Sequence, residues 1–305
     1  MTTPAVPVDQ GPPADALVRM AHACVQWLAD RARVRLLHIK GQALDDTMRA
    51  RRHGGTDVDV LVAPEDVTVL QRQLEHNGWT LITSFRSGSV FGHAATLYHP
   101  VWGTTDLHRW IPGLDHDPTT TFEALWKSRS QRVLGGVECA VPCDDHHRLI
   151  LLLHAARNGA LGGVDFQLGW GELTPERRHR IRSTAYSLGA HVPFLLATTD
   201  TAFVPGRRAH LWAAVVRGRR TTDQWSARFR DVTSPRELVA LLHEAVHANR
   251  EHLELSLGRP ATPVDTVRDQ ARRITAVAHW IRRVSGLSRD RAARAAPGRV
   301  RSRSS

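Results

Sequence analysis

The sequence predicts an α+β fold, with a mixed sheet and its helices in the first half of the chain and a mainly helical second half. Strand-like apolar stretches, separated by turns that contain Gly and Ser, recur between residues 34 and 110. From residue 143 onward, apolar residues recur at helical spacing instead. The 305 residues are 42% hydrophobic and 23% charged, a composition typical of one large or two ordinary globular domains.

The first half alternates between helices and strands. Residues 14–33 predict an amphipathic helix, because their apolar positions return every three or four residues. Pro64 and Gly78 mark the start and end of another helix, where each residue type is favoured. The predicted order is helix 14–33, strand 34–39, helix 42–50, strand 57–62, helix 64–78 and strands 79–85, 95–100 and 104–110.

The second half predicts a series of helices, over residues 144–157, 175–203, 234–256 and 264–284. No internal repeat is found in the sequence. We therefore predict four regions, which are a disordered leader (1–13), an α+β domain (14–142), a helical domain (143–285) and an Arg-rich disordered tail (286–305).

Nearly half of the formal net charge of +11 lies in one segment, because residues 289–305 contain six Arg and one Asp. Such a segment is typical of a solvated extension, and a phosphate-binding arm is the alternative. The Pro-rich start lacks the layout of a signal peptide, and no apolar run approaches the ~18 residues of a membrane span. Three cysteines suit a reducing compartment. We expect a cytoplasmic protein with free thiols and no membrane contact.

The stretch TDVDVLV (56–62) places two carboxylates in a strand that is otherwise typical of a core. Asp57 and Asp59 share one face of this strand, while the valines face the other. Like charges on one face repel, so we expect a compensating positive charge. A hard divalent cation such as Mg²⁺ binds through a few carboxylates and substrate phosphates. We predict that such a cation binds here.

A third acid, Asp106, lies in the later predicted strand TTDLHRW, and His108 shares its face. Three carboxylates on neighbouring strands would complete a two-metal phosphoryl-transfer site, with ions ~4 Å apart. Upstream, a predicted strand ends at Lys40 and Gly41 before a short helix. Glycine and a helix N-terminus favour close approach of a phosphate, and Lys40 supplies a positive charge for its oxygens.

This order of a Lys-Gly strand end, a short helix and an Asp-hydrophobic-Asp-hydrophobic strand resembles the polymerase-β-type nucleotidyltransferase superfamily. More narrowly, LLHIKGQAL, TDVDVLV, LYHP and TTDLHRW resemble a poorly characterised bacterial nucleotidyltransferase family with a Lys-Gly and Asp-x-Asp signature. The resemblance covers residues 34–130 well and the helical half more loosely.

The resemblance implies a nucleotidyltransferase that depends on Mg²⁺ or Mn²⁺. It implies transfer of a nucleoside monophosphate from an NTP, with ATP expected, to an acceptor hydroxyl, and release of pyrophosphate. Asp57, Asp59 and Asp106 are then metal ligands, with Asp106 acting as a ligand or as a base, and Lys40 and Gly41 contact the nucleotide phosphates. The α+β domain is catalytic on this interpretation, and the helical domain shapes the acceptor pocket.

Some features leave questions open. Many superfamily members follow the glycine with Ser, whereas this chain has Gln42. Arg52 and His53 both stand upstream of the acidic pair, and neither they nor His108 is assigned a role. The acceptor (small molecule, peptide, protein or RNA) and the oligomeric state also stay open.

Other patterns predict other functions. A noncatalytic protein with this fold would bind nucleic acid or a protein partner through its basic tail. The motif HEAVH (243–247) matches a zinc-protease pattern, yet no third ligand follows at the required spacing. In CAVPCDDHH (139–147), the cysteine spacing does not match a structural zinc site, so free thiols are expected. His154 lies on a largely apolar helix and is expected to be a satisfied core histidine, with a role in a substrate pocket as the alternative.

Overall fold

The computed structural model describes residues 13–52, 55–85, 90–219, 221–247 and 250–295. Nearly all of the predicted leader (1–12), His53 and the last ten residues of the predicted tail (296–305) lie outside the described residues. The chain divides into two compact units, of which the first ends at Asp231 and the second starts at Val232.

The helices described in the first unit are α1 (Ala14–Ala32), α2 (Asp46–Arg52), α3 (Val67–His76), α4 (Pro118–Lys127), α5 (Asp144–Arg157), α6 (Val164–Phe166), α7 (Pro175–Ser187), α8 (His191–Thr198), α9 (Ala209–Val216) and α10 (Thr221–Arg230). Its strands are β1 (Leu36–His38), β2 (Val58–Val62), β3 (Thr80–Thr83), β4 (Ala94–His99), β5 (Gly103–His108), β6 (Ser130–Leu134) and β7 (Val137–Val141).

Five strands form a mixed sheet in the order β1-β2-β5-β4-β3. β2 and β5 run parallel, whereas the other neighbouring strands run antiparallel. β6 and β7 form a separate two-stranded sheet. The predicted fold class, a mixed sheet with helices followed by a mainly helical region, is confirmed. The parallel pairing also joins the two strands that carry the acidic motifs.

Helices pack on both faces of the five-stranded sheet. Val58, Val60 and Val62 of β2 belong to a buried cluster that includes residues of α1 and α3. Leu61 belongs instead to the cluster that includes α5, α7, α8 and α9. Because side chains alternate across a strand, Asp59 faces the same side as Leu61. The helical region therefore covers the acidic face of the sheet.

Several elements differ from the predicted ones. The predicted helix 175–203 is two helices, α7 and α8, because Gly189 lies between them with a φ of +75°. The helices α4, α9 and α10 and the β6–β7 hairpin are absent from the predicted elements. Two local signals mark them: Asp117 accepts a hydrogen bond from the Thr120 amide at the start of α4, and a Gly-Gly pair forms the hairpin turn.

The second unit contains α11 (Pro235–Val246), α12 (Arg250–Leu257) and α13 (Pro263–Ala295). Because α13 continues to Ala295, residues 286–295 of the predicted disordered tail are helical. Ala and Arg are frequent in this stretch, and both favour a helix. Within the part of the chain that the structure describes, no helix is both long and apolar enough to cross a membrane.

Candidate active site

The acidic residues of β2 and β5 meet through the parallel pairing of these strands. Asp59 lies directly opposite Asp106 in the register, and His108 follows two residues later on β5. Each of these side chains offers one ligand atom, and these atoms all lie within 4.8 Å of one another. Asp59 and His108 are only 4% and 3% exposed, whereas Asp106 is half-buried. The structure thus brings together two of the three predicted acids.

Lys40 supplies the positive charge that the acidic strand requires. Its Nζ lies 2.5 Å from Asp59 Oδ1, and His108 Nε2 lies 2.8 Å from the same oxygen. Burial would raise the pKa of Asp59, but Lys40 and the hydrogen bond from His108 hold it well below its usual range. The expectation that a metal must compensate Asp59 therefore changes, because a buried ammonium group already does so.

The backbone at Lys40 has an unusual conformation. Its φ is +58° and its ψ is −166°, a combination that glycine adopts far more easily than lysine. Such strain persists only where the surroundings impose it, and it clusters at functional sites. The conformation directs a charged side chain from the end of β1 into the buried acidic cluster.

Asp57 lies one residue before β2 and is half-buried. Burial and, next, the negative charge of Asp59 raise its pKa to about 6, although Lys40 acts in the opposite direction. Asp57 is not part of the group of three ligand atoms around Asp59. It is a carboxylate whose ionised form is poorly compensated in the absence of a ligand.

Asp106 is oriented by a neighbouring strand. Thr96, opposite Asp106 on β4, donates a hydrogen bond of 2.6 Å from its hydroxyl to Asp106 Oδ1. This contact holds the carboxylate at the border of the cluster, where it is half-buried.

Two glycines pack against each other beside Asp57. Gly41 has a φ of +43°, and a Cβ added to Gly55 would lie 3.0 Å from the Gly41 Cα. A Cβ on Gly55 would also lie 3.4 Å from Asp57 Oδ1. Side chains at these positions would push the two backbones apart, so the glycines allow the buried Gly41 to pack directly against Gly55 beside Asp57.

The segment after Gly41 differs from the predicted helix. Gly41–Ala43 forms a single 3₁₀ turn, and α2 begins only at Asp46. Gln42 is fully buried; its amide donates to Asp15 Oδ1 at 3.3 Å and its oxygen accepts from Arg19 Nε at 3.3 Å. Gln42 therefore holds α1, and the anion-favouring helix N-terminus predicted directly after Gly41 is wrong.

On and near α5 lies a set of polar residues, of which the sequence had singled out His154 and Arg52, but not Asp165, Arg157 or Asn158. His154 Nδ1 donates to Asp165 Oδ2 at 2.6 Å, and Arg52 Nε donates to Asp165 Oδ1 at 2.6 Å. Burial alone would raise the pKa of Asp165, but these two donors lower it to about 2. The Asn158 amide donates to His154 Nε2 at 3.1 Å. His154 is half-buried and both of its ring nitrogens have partners, as expected of a satisfied histidine, but it lines the Asp57 cleft rather than the apolar core.

The spacing of this set is visible in the sequence. His154, Arg157 and Asn158 stand at positions i, i+3 and i+4, which share one face of a helix. Polar residues at that spacing on a largely apolar helix indicate that this face of the helix lines a cleft. Nothing local in the sequence identifies Asp165 as their partner.

Two clefts flank the acidic cluster. The first, which we call the Asp106 cleft, encloses about 250 Å³. Its lining includes Phe91, Thr96, Asp106, Arg157, Asn158, Val215 and Gln224. The second, the Asp57 cleft, encloses about 430 Å³. Its lining includes Arg52, Gly55, Asp57, His154, Asn158 and Asp165. Asn158 borders both clefts, which places the polar face of α5 between them.

The donor atoms fit a hard divalent cation. Two of the three grouped ligand atoms, those of Asp59 and Asp106, are carboxylate oxygens, which Mg²⁺ and Mn²⁺ prefer, and the third is a nitrogen of His108. The raised pKa of Asp57 shows that burial and the charge of Asp59 oppose its ionisation, and a nearby cation would relieve both. A cation at Asp59 would take over the role of Lys40 as its charge partner.

The competing motifs do not form comparable clusters. In HEAVH, the rings of His243 and His247 stack with centroids 3.7 Å apart, and His247 Nδ1 bonds to the His243 carbonyl oxygen at 2.9 Å. In the described ranges, neither residue belongs to a group of three potential metal ligands. The cysteines Cys139 and Cys143 are free thiols, as expected.

Comparisons with known proteins give limited similarity. No family model and no curated protein matches the chain. A solved structure of the lincosamide antibiotic adenylyltransferase LnuA with bound lincomycin is 14% identical, with a TM-score of 0.33, and the match covers 55% of this chain and 96% of that one. The antibiotic-resistance factor ANT(2'')-Ia is 16% identical, with a TM-score of 0.38, over 58% of this chain and 97% of that one. Both TM-scores are below 0.5, so neither protein defines the site or substrate of this chain.

Proposed function

We propose that this chain is a polymerase-β-type nucleotidyltransferase, which transfers a nucleoside monophosphate from an NTP to an acceptor hydroxyl and releases pyrophosphate. The observation that carries the proposal is the parallel pairing of β2 and β5, in which Asp59 lies opposite Asp106. This pairing brings the two carboxylates together beside the Asp106 cleft, and Asp57, just before β2, lines the second cleft. It supports phosphoryl transfer better than a binding-only role.

The site residues have distinct tasks in this proposal. Asp57, Asp59 and Asp106 would hold Mg²⁺ or Mn²⁺, which neutralises phosphate charge and activates the attacking oxygen. Lys40 keeps Asp59 ionised before substrate binds and then supplies positive charge to phosphate oxygens. Gly41 packs against Gly55, which lines the Asp57 cleft, and in this proposal the turn at Lys40 and Gly41 contacts the nucleotide phosphates.

The transfer step uses groups at the Asp106 cleft. Asp106, whose carboxylate accepts a hydrogen bond from Thr96, would accept the proton of the acceptor hydroxyl or orient that hydroxyl. The hydroxyl oxygen then forms a bond to the α-phosphorus of the nucleotide, and the bond from this phosphorus to pyrophosphate breaks. The region 143–285 contributes Arg157, Val215 and Gln224 to the wall of this cleft, which is consistent with a role of the helical domain in the acceptor pocket.

The first experiment measures ligand stabilisation. Each of the four NTPs is added to the full chain with Mg²⁺, with Mn²⁺ or with EDTA, and the shift in melting temperature is recorded. We expect stabilisation by at least one NTP that requires the metal, because a ligand that binds only the folded state raises its stability with occupancy. We also expect the Asp106→Asn variant to lose transfer of an α-³²P-labelled nucleotide to acceptors from pools of small molecules, peptides, proteins and RNA.

A matched control is Asp200→Asn, an exposed residue outside both clefts. It should bind and transfer nucleotide as the wild type does. If no NTP stabilises the wild-type chain with either metal, the proposal of a nucleotidyltransferase is wrong. Retention of NTP in Asp57→Asn, Asp59→Asn and Asp106→Asn alike would place the metal elsewhere.

A further inference from the structure

Arg157 is a half-buried cation without a carboxylate partner among the described residues. Its Nη1 donates to His93 Nε2, and its Nε donates weakly to Asn158 Oδ1 at 3.4 Å. Both partners are neutral acceptors in these contacts. Nearby arginines differ, because Arg52 forms an ion pair with Asp165 at 2.6 Å and Arg148 lies 3.2 Å from an Asp oxygen.

The position of Arg157 is as informative as its lack of a partner. It lines the Asp106 cleft and also a smaller cavity that Lys40, His108 and His154 border. The negative charges of Asp59 and Asp106 favour the charged form of Arg157 through space, without a direct contact. The guanidinium group therefore stands across from the carboxylate cluster, on the α5 wall of the cleft.

We propose that Arg157 is an anion-binding residue for the phosphoryl oxygens of the bound nucleotide, facing the carboxylates across the Asp106 cleft. This inference rests on the proposed nucleotidyl transfer. Arg157 would form the second wall of the phosphate site. The acidic strands alone cannot bind a phosphate, because carboxylates repel a phosphate that lacks other positive contacts.

The chemistry of the group favours a phosphate. A guanidinium group presents several planar N–H donors, which match two oxygens of a phosphate and stay charged at all relevant pH values. Removing such a charge from water is unfavourable unless an anion replaces the lost hydration. His93, which is 2% exposed, fixes one side of the guanidinium. The remaining donors are thus held in one orientation before the ligand arrives, and this lowers the entropic cost of binding.

A purely structural role makes a different prediction. Arg157 is the last residue of α5, and a cation there stabilises the helix through its C-terminal carbonyl groups. In that case its removal would lower the melting temperature and leave ligand binding unchanged. In the anion-binding case, removal of an uncompensated half-buried charge leaves the melting temperature of the free protein nearly unchanged. It lowers the affinity for the ligand instead.

The test compares Arg157→Met, Arg157→Lys and the control Arg182→Met, an exposed arginine of α7. Affinities for α,β-methylene-ATP with Mg²⁺, for pyrophosphate with Mg²⁺ and for inorganic phosphate are measured by calorimetry on the full chain. We expect Arg157→Met to lower the affinity for the nucleotide analogue at least about tenfold, because the substitution removes a charge-assisted hydrogen bond. Arg157→Lys should recover part of the affinity, and Arg182→Met should match the wild type.

The probes separate the two proposals. Equal analogue affinity in Arg157→Met and the wild type would overturn the role of Arg157 and leave nucleotidyl transfer standing. If the wild type binds pyrophosphate or phosphate but no nucleotide, and Arg157→Met abolishes this, Arg157 is an anion site and the proposed transfer is wrong. A wild-type chain that binds none of the three probes contradicts both. A lower melting temperature with unchanged affinity would assign Arg157 to the helix end alone.

Discussion

Neighbouring aspartates at the start of β2 should respond in opposite directions to the same substitution. Asp59→Asn removes the only carboxylate that the described structure places against the Lys40 ammonium group, at 2.5 Å. Asp57→Asn removes a carboxylate whose ionisation is opposed by burial and by the charge of Asp59. In the absence of divalent metal, we expect Asp59→Asn to lower the free energy of unfolding and Asp57→Asn to raise it.

The magnitudes follow from burial and charge. Lys40 and Asp59 are 6% and 4% exposed, and removing one partner of a buried ion pair costs ~3–5 kcal/mol. The Asp59→Asn variant keeps a side-chain oxygen that accepts from Lys40 or His108, so we expect the lower end, ~3 kcal/mol. For Asp57, the interval from the ordinary pKa of 3.8 to about 6 corresponds to ~3 kcal/mol at a fully buried site. Solvent near this half-buried group reduces the expected gain to ~1 kcal/mol.

The assay is urea unfolding followed by circular dichroism at pH 8 in EDTA, on the full chain. Asp200→Asn serves as the exposed control and should change the free energy of unfolding by less than ~0.5 kcal/mol. Adding Lys40→Met to Asp59→Asn should recover part of the lost stability, because the unpaired buried ammonium is then gone. If Asp59→Asn is as stable as the wild type, or if Asp57→Asn loses as much as Asp59→Asn, the assignment of Lys40 as the charge partner of Asp59 is wrong.

Three further predictions concern other parts of the chain. Hydrogen bonding from His146 lowers the pKa of Cys143 to about 7, whereas burial raises the pKa of Cys24. Iodoacetamide should therefore label Cys143 first, at a rate that is half-maximal near pH 7 and levels off above it, and equal labelling of both cysteines at pH 7, read by mass spectrometry, would contradict this. Gly135→Ala should lower the melting temperature more than Gly136→Ala. A Cβ at Gly135 would lie 2.7 Å from a backbone oxygen, whereas a Cβ at Gly136 would contact nothing within 4 Å. Similar decreases in the melting temperatures of the two variants would refute this packing. Elemental analysis of tag-free protein should find no stoichiometric zinc at the HEAVH motif, and one zinc per chain that is lost when its second histidine is replaced would show the opposite.

Much of the fold follows from the sequence because its signals are local. The alternation of Val58, Val60 and Val62 with the acids indicates a strand with one core face, and the structure places these valines in a buried cluster. Pro64 and the Gly after α3 bound that helix within a few residues of the predicted ends. The predicted helix 175–203 fails because the apolar pattern continues across Gly189, where a positive φ ends α7.

The candidate site depends only partly on such local signals. The sequence by itself determined that Asp59 and Asp106 belong to strands with a polar face, since strand periodicity fixes which side chains share a face, but it wrongly included Asp57 in the strand. Only the tertiary structure decided that β2 and β5 pair in parallel, so that Asp59 meets Asp106 while Asp57 lies outside the strand. Strand pairing depends on contacts between residues far apart in the chain, and no local spacing encodes them.

The charge partners of the site residues were also decided by the tertiary structure. The sequence determined that an acidic pair needs a positive charge, but it could not distinguish a metal from Lys40, because that choice depends on the backbone conformation that directs Lys40 into the cluster. The spacing of His154, Arg157 and Asn158 is also that of residues on one helix face. Only the packing of α5 over the sheet turned that face toward the carboxylates, because burial of the apolar side of a helix fixes its rotation and hence the direction of its polar residues.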